Sequence, residues 1–177
     1  EASPPGNDSL AEVCVAWEAE AQKAAAYGSR VAIVRCGLIL ATDGGILART
    51  LPAFKVGAGG IVAGGNQWHS WIHIDDVVGI YLLAIDSAAG VMNATAPNPV
   101  RNRDFTRALA SALHRPALVP VPKMALEAIL GEGAVIATEG QCVIPERTIA
   151  QGYHFAYTQI ERACAALVTK KPRRAAR

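Results

Sequence analysis

The sequence lacks any uninterrupted apolar segment of the roughly 18 residues that a membrane-spanning helix requires, although 51% of its residues are hydrophobic. Its first six residues are polar and turn-forming, unlike the apolar region of a secretory signal. Only 18% of the residues are charged, and a chain so rich in apolar residues is not globally disordered. These absences predict a globular, cytoplasmic protein with a substantial core.

Cysteine is scarce, and its four copies are far apart in the sequence: Cys14, Cys36, Cys142 and Cys164. No two of them have the close spacing of a metal-binding or redox pair, so we predict no metal site. Each lies among apolar residues, where a free thiol behaves as a small hydrophobe. The pattern predicts reduced thiols that pack in the core of an intracellular protein.

The chain also lacks an initiator methionine and a recognisable phosphate-binding loop. A turn at residues 1–6 runs directly into a helical pattern, so we expect the chain to be part of a longer protein. The Gly-rich residues 57–65 follow no strand–turn–helix pattern and lack the Lys-Ser/Thr of a phosphate loop. The groups that hold a nucleotide's phosphates are therefore expected upstream of Glu1.

The charge is distributed unevenly along the chain. The net charge is +2, but residues 170–177 carry five positive charges, which leaves −3 for the rest. A basic tail can bind nucleic acid or anionic lipid. No platform of aromatic and basic residues accompanies this one, so we expect a solvated, disordered tail and no binding to nucleic acid or membranes.

Helical and strand-like patterns alternate along the chain, which predicts an α/β architecture. A capping box at residues 9–12 begins a first helix, and Leu10, Val13 and Trp17 share its apolar face. Residues 31–40 are continuous and β-branched, as in a buried strand. Strands are also predicted at residues 71–74, 91–94 and 117–121, extended chain at 140–145, a helix or ordered loop at 46–54, and helices at 77–85 (buried all round), 102–113, 122–130 and 158–167.

Three segments of this pattern resemble the C-terminal half of extended short-chain dehydrogenases/reductases, the group that includes NAD(P)-dependent sugar epimerases and dehydratases. They are residues 34–40 (VRCGLIL), 71–77 (WIHIDDV) and 90–94 (GVMNA) followed by an Asn-Pro-Val turn. Further motifs resemble the epimerase-like subfamily sometimes labelled cell-division-inhibitor-like: WEA at 17–19, LPAF at 51–54, GAGG at 57–60, QWHSWIH at 67–73, NATAPNP at 93–99 and GQCVIP at 140–145.

This resemblance implies the C-terminal portion of a Rossmann-type parallel sheet with a small α/β substrate-binding lobe. Residues 1–95 would complete the cofactor domain and carry an inserted substrate loop. Residues 96–168 would form the lobe, and residues 169–177 the tail. The family's catalytic Ser and Tyr would lie upstream of Glu1, so no catalytic residue is assigned within this chain.

The resemblance also implies a nicotinamide cofactor, with NADP(H) favoured over NAD(H). The cofactor-binding segment would be Arg35, Cys36, Gly37 and Leu38, where Gly37 permits a close approach of the backbone. An ordinary strand end with a glycine kink is the alternative. Because Arg35 lies in an apolar strand, we expect it to be paired with a carboxylate or a carbonyl group.

A substrate pocket is predicted beside Lys55, Gln67, Trp68, His69 and Trp71. Nucleotide-sugar relatives have a phosphate-contacting Arg at the position of His69, and its absence argues against a nucleoside-diphosphate sugar. Two Trp side chains suit a flat or apolar ligand. The alternatives are that both Trp residues fill the core, that His69 lies on the surface and that Lys55 is simply solvated.

His73, Asp75 and Asp76 lie at the predicted junction between a strand and a helix. The two carboxylates could pass for an acid/base or metal pair. Adjacent residues at a helix start serve better as a cap and as partners of the helix dipole. We therefore predict structural roles for all three.

Two functions from different classes follow. In the first, the chain is part of an NAD(P)-dependent oxidoreductase or epimerase that acts on a small carbonyl or hydroxyl compound, and we expect the chain alone to be inactive. In the second, it is a non-catalytic interaction lobe. Its partner would be the missing N-terminal half or a second copy, bound through the apolar face of the first helix.

Overall fold

The computed structural model describes residues 1–117, 119–121, 124 and 140–169. Most of the predicted helix at 122–130 and the basic tail at 170–177 lie outside these residues. Within them, no helix is both long and apolar enough to cross a membrane. Helices and parallel strand pairs alternate, which confirms the α/β class.

The described residues form six helices and six short strands. The helices are α1 (Ser9–Gln22), α2 (Gly45–Lys55), α3 (Ile74–Asp86), α4 (Asn102–Ala112), α5 (Glu146–Ala150) and α6 (Ile160–Thr169). The strands are β1 (Ala32–Cys36), β2 (Leu38–Leu40), β3 (Trp68–His69), β4 (Trp71–His73), β5 (Gly90–Ala94) and β6 (Val100–Arg101).

The single strand predicted over residues 31–40 is two strands, because the chain changes partner at Gly37. β1 pairs in parallel with β5, whereas β2 pairs in parallel with β4. The Gly37 amide still donates to Ala94 O, and the next amide, of Leu38, donates to Ser70 O. The antiparallel pair of β3 and β6 and the short helix α5 were not predicted from the sequence.

The core is continuous across the predicted domain boundary at residue 95. The largest buried cluster includes Leu40, Leu47, Leu51, Phe54, Trp71, Phe105, Leu109, Ile160, Cys164 and Leu167. The predicted stripe of the last helix is buried in full. The division of the chain into a cofactor part and a lobe remains a prediction, but the two parts share one core.

The junction between β4 and α3 is held by His73 and Asp76. The predicted caps, Asp75 and Asp76, lie in the first turn, and His73 is the cap, since its Nδ1 accepts from the Asp75 amide at 3.0 Å. The carboxylate of Asp76 is fully buried and accepts hydrogen bonds from Tyr153 Oη and from the amides of residues 156 and 157. Asp76 thus ties α3 to the C-terminal segment, which confirms a structural role.

The apolar composition of helix α3 predicted burial on all sides, but the helix is buried on one side only. It packs against β1 and β4 on one side, through Val77, Ile80 and Ala84. On the other side, Leu82 and Ile85 are 57% and 68% exposed. The strands that the structure describes therefore cover only one side of this apolar helix.

Helix α1 projects from this core with no buried residue. Its cap is Asp8 rather than Ser9, because Asp8 Oδ1 accepts from the Ala11 amide at 2.9 Å. A short 3₁₀ turn extends it to Gly28, whose positive φ of 79° ends the helical segment as predicted. On the predicted apolar face, Leu10 is 62% and Trp17 is 71% exposed.

Replacing Asp76 with Ala should lower the free energy of unfolding by about 3 kcal/mol, because a fully buried acceptor and its three hydrogen bonds are lost. Asp86→Ala, on the exposed end of the same helix, should change it by less than about 0.5 kcal/mol. Urea unfolding followed by circular dichroism measures both. Equal effects of the two substitutions would show that Asp76 does not hold the C-terminal segment.

Candidate functional site

An open cleft of about 1020 Å³ lies at the carboxyl ends of β1 and β5. Residues of α1 form one side, and residues 141–144 form another. Ligands of open α/β sheets bind outside the carboxyl ends of parallel strands, because the loops there diverge. The cleft is therefore the first candidate site in the described part of the chain.

Three of the four predicted cofactor-binding residues line this cleft. Arg35, Cys36 and Gly37 do so, at the point where β1 ends. Leu38 is not part of the lining and packs half-buried against the main core cluster. Whether the three residues contact a cofactor remains a prediction, but the fold does bring them together at a cleft.

Arg35 has the carboxylate partner that its sequence position predicted. Its Nε and Nη2 donate to the two carboxylate oxygens of Glu18 at 2.6 and 2.7 Å, and Nη1 donates to Glu1 O at 3.4 Å. The hydrogen bond to Arg35 holds the pKa of Glu18 below its usual value and raises that of Arg35. Because the pair is partly exposed, it contributes orientation more than stability. It positions α1 over the end of β1.

Gly37 is required by close packing. An added Cβ would lie 2.2 Å from Ser70 O and 2.7 Å from Thr95 Cγ2. Only a residue without a side chain lets the backbone pass between β4 and β5 at this point. Cys36, immediately before it, lies 3.8 Å from Tyr81 Oη on α3.

The predicted substrate residues do not line the cleft. Lys55 is exposed at the end of α2, and Gln67 Nε2 donates to Val62 O at 3.1 Å. Trp68 lies on β3 with the guanidinium carbon of Arg101 3.6 Å from its ring centroid. The Trp68 ring thus makes a cation–π contact with Arg101, which lies on the neighbouring strand β6. A substrate role for Lys55, Gln67 and Trp68 remains a prediction.

Trp71 is fully buried in the main core cluster, where its indole nitrogen donates to Asn98 O at 3.0 Å. No face of the ring is open to a ligand. The structure therefore gives Trp71 the alternative role, that of a core residue. Its hydrogen bond fixes the turn that leads into β6.

His69 is half-buried rather than exposed on the surface. Its Nε2 lies 3.3 Å from Asn102 Nδ2, and its ring contacts Phe105 at a centroid distance of 5.2 Å. Asn102 Oδ1 accepts from the Val62 amide, so the Asn102 amino group faces His69 and donates to it. Nδ1 therefore carries the proton, and it has no hydrogen-bond partner among the described residues. Burial lowers the His69 pKa to about 4, so the ring is neutral near pH 7.

The other side of the cleft consists of residues that were not predicted from the sequence to belong to a site. Asn93, Thr95 and residues 141–144 line it, and Glu18 reaches it from α1. Two motifs quoted for the family resemblance, at residues 93–99 and 140–145, contained these positions. The motifs predicted no role for these positions, because a sequence pattern does not show that two distant segments are in contact.

The prediction of core thiols is wrong for three of the four cysteines. Only Cys164 is buried, whereas Cys14, Cys36 and Cys142 are exposed and line the cleft. Apolar sequence neighbours did not imply burial, because these residues lie at the rim of a concave surface. No group of three metal-ligating side chains occurs among the residues that the structure describes.

The depressed pKa of His69 makes stability depend on pH. Its folded-state pKa of about 4 lies below the usual 6.5, so the unfolded chain binds a proton first. The contribution of the neutral His69 ring to the free energy of unfolding is therefore fully present above pH 6.5 and is lost as the pH falls towards 4. The loss should be about 2–3 kcal/mol in the wild type and absent in His69→Phe, as measured by urea unfolding across this range. An NMR titration of the His69 ring with a midpoint near 6.5 would contradict this assignment.

Comparison with known proteins places these features in context. A family model described as a domain of unknown function (DUF1731) matches residues 121–167. The chloroplastic homolog of epimerase family protein SDR39U1 from Arabidopsis thaliana is 46% identical over 170 residues, which cover 95% of this chain and 49% of that protein. The human SDR39U1 is 36% identical and matches 95% of this chain over 58% of its own length. The chain thus spans about half the length of the curated relatives it matches.

Solved structures show the same similarity. The crystal structure of human SDR39U1 (isoform 2) with NADPH superposes with a TM-score of 0.87 at 34% identity, covering 94% of this chain and 58% of that one. A Thermus thermophilus UDP-glucose 4-epimerase in complex with NAD gives a TM-score of 0.67 at 15% identity, covering 94% of this chain and 54% of that one, and so shares the fold. Over the half of these proteins that it covers, the chain is similar to epimerase-family proteins, and the similarity supports the NAD(P)-dependent epimerase and short-chain dehydrogenase/reductase superfamily.

Proposed function

We propose that this chain supplies the nicotinamide-facing loop and the substrate-binding part of an NAD(P)-dependent oxidoreductase or epimerase acting on a small carbonyl or hydroxyl compound. The observation that carries the proposal is the cleft at the carboxyl ends of β1 and β5, with Arg35, Cys36 and Gly37 on its wall. A relative of similar fold, 34% identical, was solved with NADPH. The family motifs further support the C-terminal part of a cell-division-inhibitor-like protein.

The residues of the cleft fit the nicotinamide end of such a cofactor. The volume of about 1020 Å³ is at the upper end of ordinary ligand pockets, and Gly37 presents bare backbone at the strand end. When bound, the nicotinamide supplies hydride chemistry, and the protein supplies position and a dry environment. The lining does not fit the pyrophosphate, since Arg35 is already paired with Glu18. Groups other than these would hold the phosphates.

We favour NADP(H) over NAD(H). The relative at 34% identity was solved with NADPH, whereas a neighbour solved with NAD is 15% identical and comparable in fold alone. The neutral His69, in place of the phosphate-contacting Arg of nucleotide-sugar relatives, supports a substrate without a nucleoside diphosphate. The substrate residues proposed are Lys55, Gln67, Trp68 and His69, which lie on α2, β3 and the loop between them.

The proposal predicts which half of the cofactor this chain can recognise. Nicotinamide mononucleotide should perturb the backbone NMR signals of residues 35–37 and 141–144 in the 177-residue chain. Adenosine monophosphate carries the same ribose and phosphate but no nicotinamide. It should leave these signals unchanged, because the basic side chain of the described lining, Arg35, is already paired and the phosphate alone gains no partner there. Perturbation by both nucleotides, or by nicotinamide mononucleotide at residues 57–65 instead, would contradict the assignment of the cleft.

A second candidate, an interaction lobe, is favoured by the exposed apolar side chains of α1 and α3. Leu10 and Trp17 on one helix, and Leu82 and Ile85 on the other, are each more than half exposed. Exposed apolar side chains that cluster on a helix face often mark an interface. The partner would be a second copy or the part of the relatives that this chain does not span. This candidate and the first are compatible, since a docked partner could also complete the cofactor site.

If the chain is isolated, we expect it to self-associate at micromolar concentration through α1. Sedimentation velocity should show a dimer or larger species, and Trp17→Glu should shift it towards the monomer, because a charge on the apolar face opposes burial. Gln22→Glu, at the exposed C-terminal end of the same helix, makes the same change of one negative charge and is the matched control. A cooperatively folded wild-type monomer at that concentration would remove this candidate.

A further inference from the structure

Residues 140–145, which we call the strap, cross the carboxyl ends of the strands. Ser70 holds the strap from the link between β3 and β4. Its Oγ donates to Gln141 O at 2.5 Å and accepts from the Val143 amide at 2.9 Å. One hydroxyl group thus satisfies a donor and an acceptor of the strap backbone.

Two further hydrogen bonds fix the strap to β5 and the residue that follows it. Thr95 Oγ1 donates to Val143 O, and Asn93 Nδ2 donates to Ile144 O, each at 3.2 Å. At its start, Gly140 lies flush against β3, where an added Cβ would be 2.0 Å from Trp68 O. The strap is therefore held by side chains from three places in the sheet.

All of these bonds use the backbone of the strap, so its side chains are left for other contacts. Gln141 and Cys142 both line the cleft and are exposed. The side-chain amide of Gln141 makes no hydrogen bond to the described residues. An amide offers both a donor and an acceptor, which suits a neutral carbonyl or hydroxyl oxygen.

The charges around the strap disfavour an anion. Arg35 is the basic side chain of the described lining, and it is bonded to Glu18. Glu1 and Glu146 add further carboxylates to the same wall. An anionic ligand would lose hydration and meet these carboxylates without gaining an unpaired basic side chain from the described lining.

We propose that the strap is the substrate-side wall of the cleft, where Gln141 hydrogen-bonds the oxygen of an uncharged carbonyl or hydroxyl compound and anionic substrates are rejected. This inference rests on the proposed function for the identity of the reaction. It adds the class of substrate. It also gives a role to the C-terminal segment matched by the DUF1731 model, which contains the strap.

The test uses two alkylating probes of nearly equal size, iodoacetamide and iodoacetate. With either probe, the Cys142 sulfur forms a bond to the methylene carbon and iodide leaves. Rates at Cys142 are read by mass spectrometry in the folded 177-residue chain and again in urea, so the same residue is its own reference. The ratio of the iodoacetamide rate to the iodoacetate rate should be about threefold higher in the folded chain. An equal ratio, or a folded Cys142 that does not react, would overturn the proposal.

Two variants test whether the strap determines the ratio of the two alkylation rates. Gln141→Lys puts a cation in the wall and should lower the folded-chain ratio to that in urea or below it. Gln159→Lys makes the same change at an exposed position outside the cleft lining, and should leave the ratio as in the wild type. The same shift in both variants would mean that net charge, and not the strap, sets the ratio, and the proposal would fall.

Cys164 reports folding in the same experiment. It is buried, and burial raises its pKa to about 12, so it should stay unlabelled in every folded sample. The probes are used without cofactor. Failure of nicotinamide mononucleotide to bind would therefore refute the proposed function alone, whereas an unselective strap would refute this inference alone.

Discussion

A Cβ atom at residue 37 would lie 2.2 Å from Ser70 O and 2.7 Å from Thr95 Cγ2, and much of the architecture depends on its absence. At this glycine the chain leaves β5 and joins β4, so three chain segments meet within van der Waals distance. The residues that crowd Gly37 also hold the strap, because Ser70 and Thr95 each bond to its backbone. One missing side chain thus sets both the path of the sheet and the wall of the cleft.

The polar groups of the site are arranged to leave little free charge. Arg35 and Glu18 neutralise each other across the cleft, and burial keeps His69 uncharged. Asp76 is buried with three donors around its carboxylate, so it holds the fold together away from the cleft. Charge in this molecule therefore serves mostly to position helices, while recognition falls to neutral amides and backbone.

Local signals in the sequence identified most of the elements but not their limits. The junction at residues 71–77 was recognised, yet the cap is His73 because its ring nitrogen faces the helix amides. The β3–β6 pair has two residues in each strand, too few for a periodic pattern. The exposed side of α3 was predicted to be buried, because an apolar sequence shows that a helix face can be buried but not whether another element packs against it. Cys14, Cys36 and Cys142 were misplaced for the same reason.

The sequence by itself determined the α/β class, the apolar stripe of the last helix and the need of Arg35 for a partner. Each of these depends on a residue and its near neighbours, through periodicity, turn chemistry or the cost of an unpaired charge. Tertiary structure alone decided that Glu18 is that partner, that Trp71 lies in the core, and that the strap forms a wall of the cleft beside residues 35–37. Those contacts join residues that are far apart in the chain, and their geometry follows from how the packed elements meet.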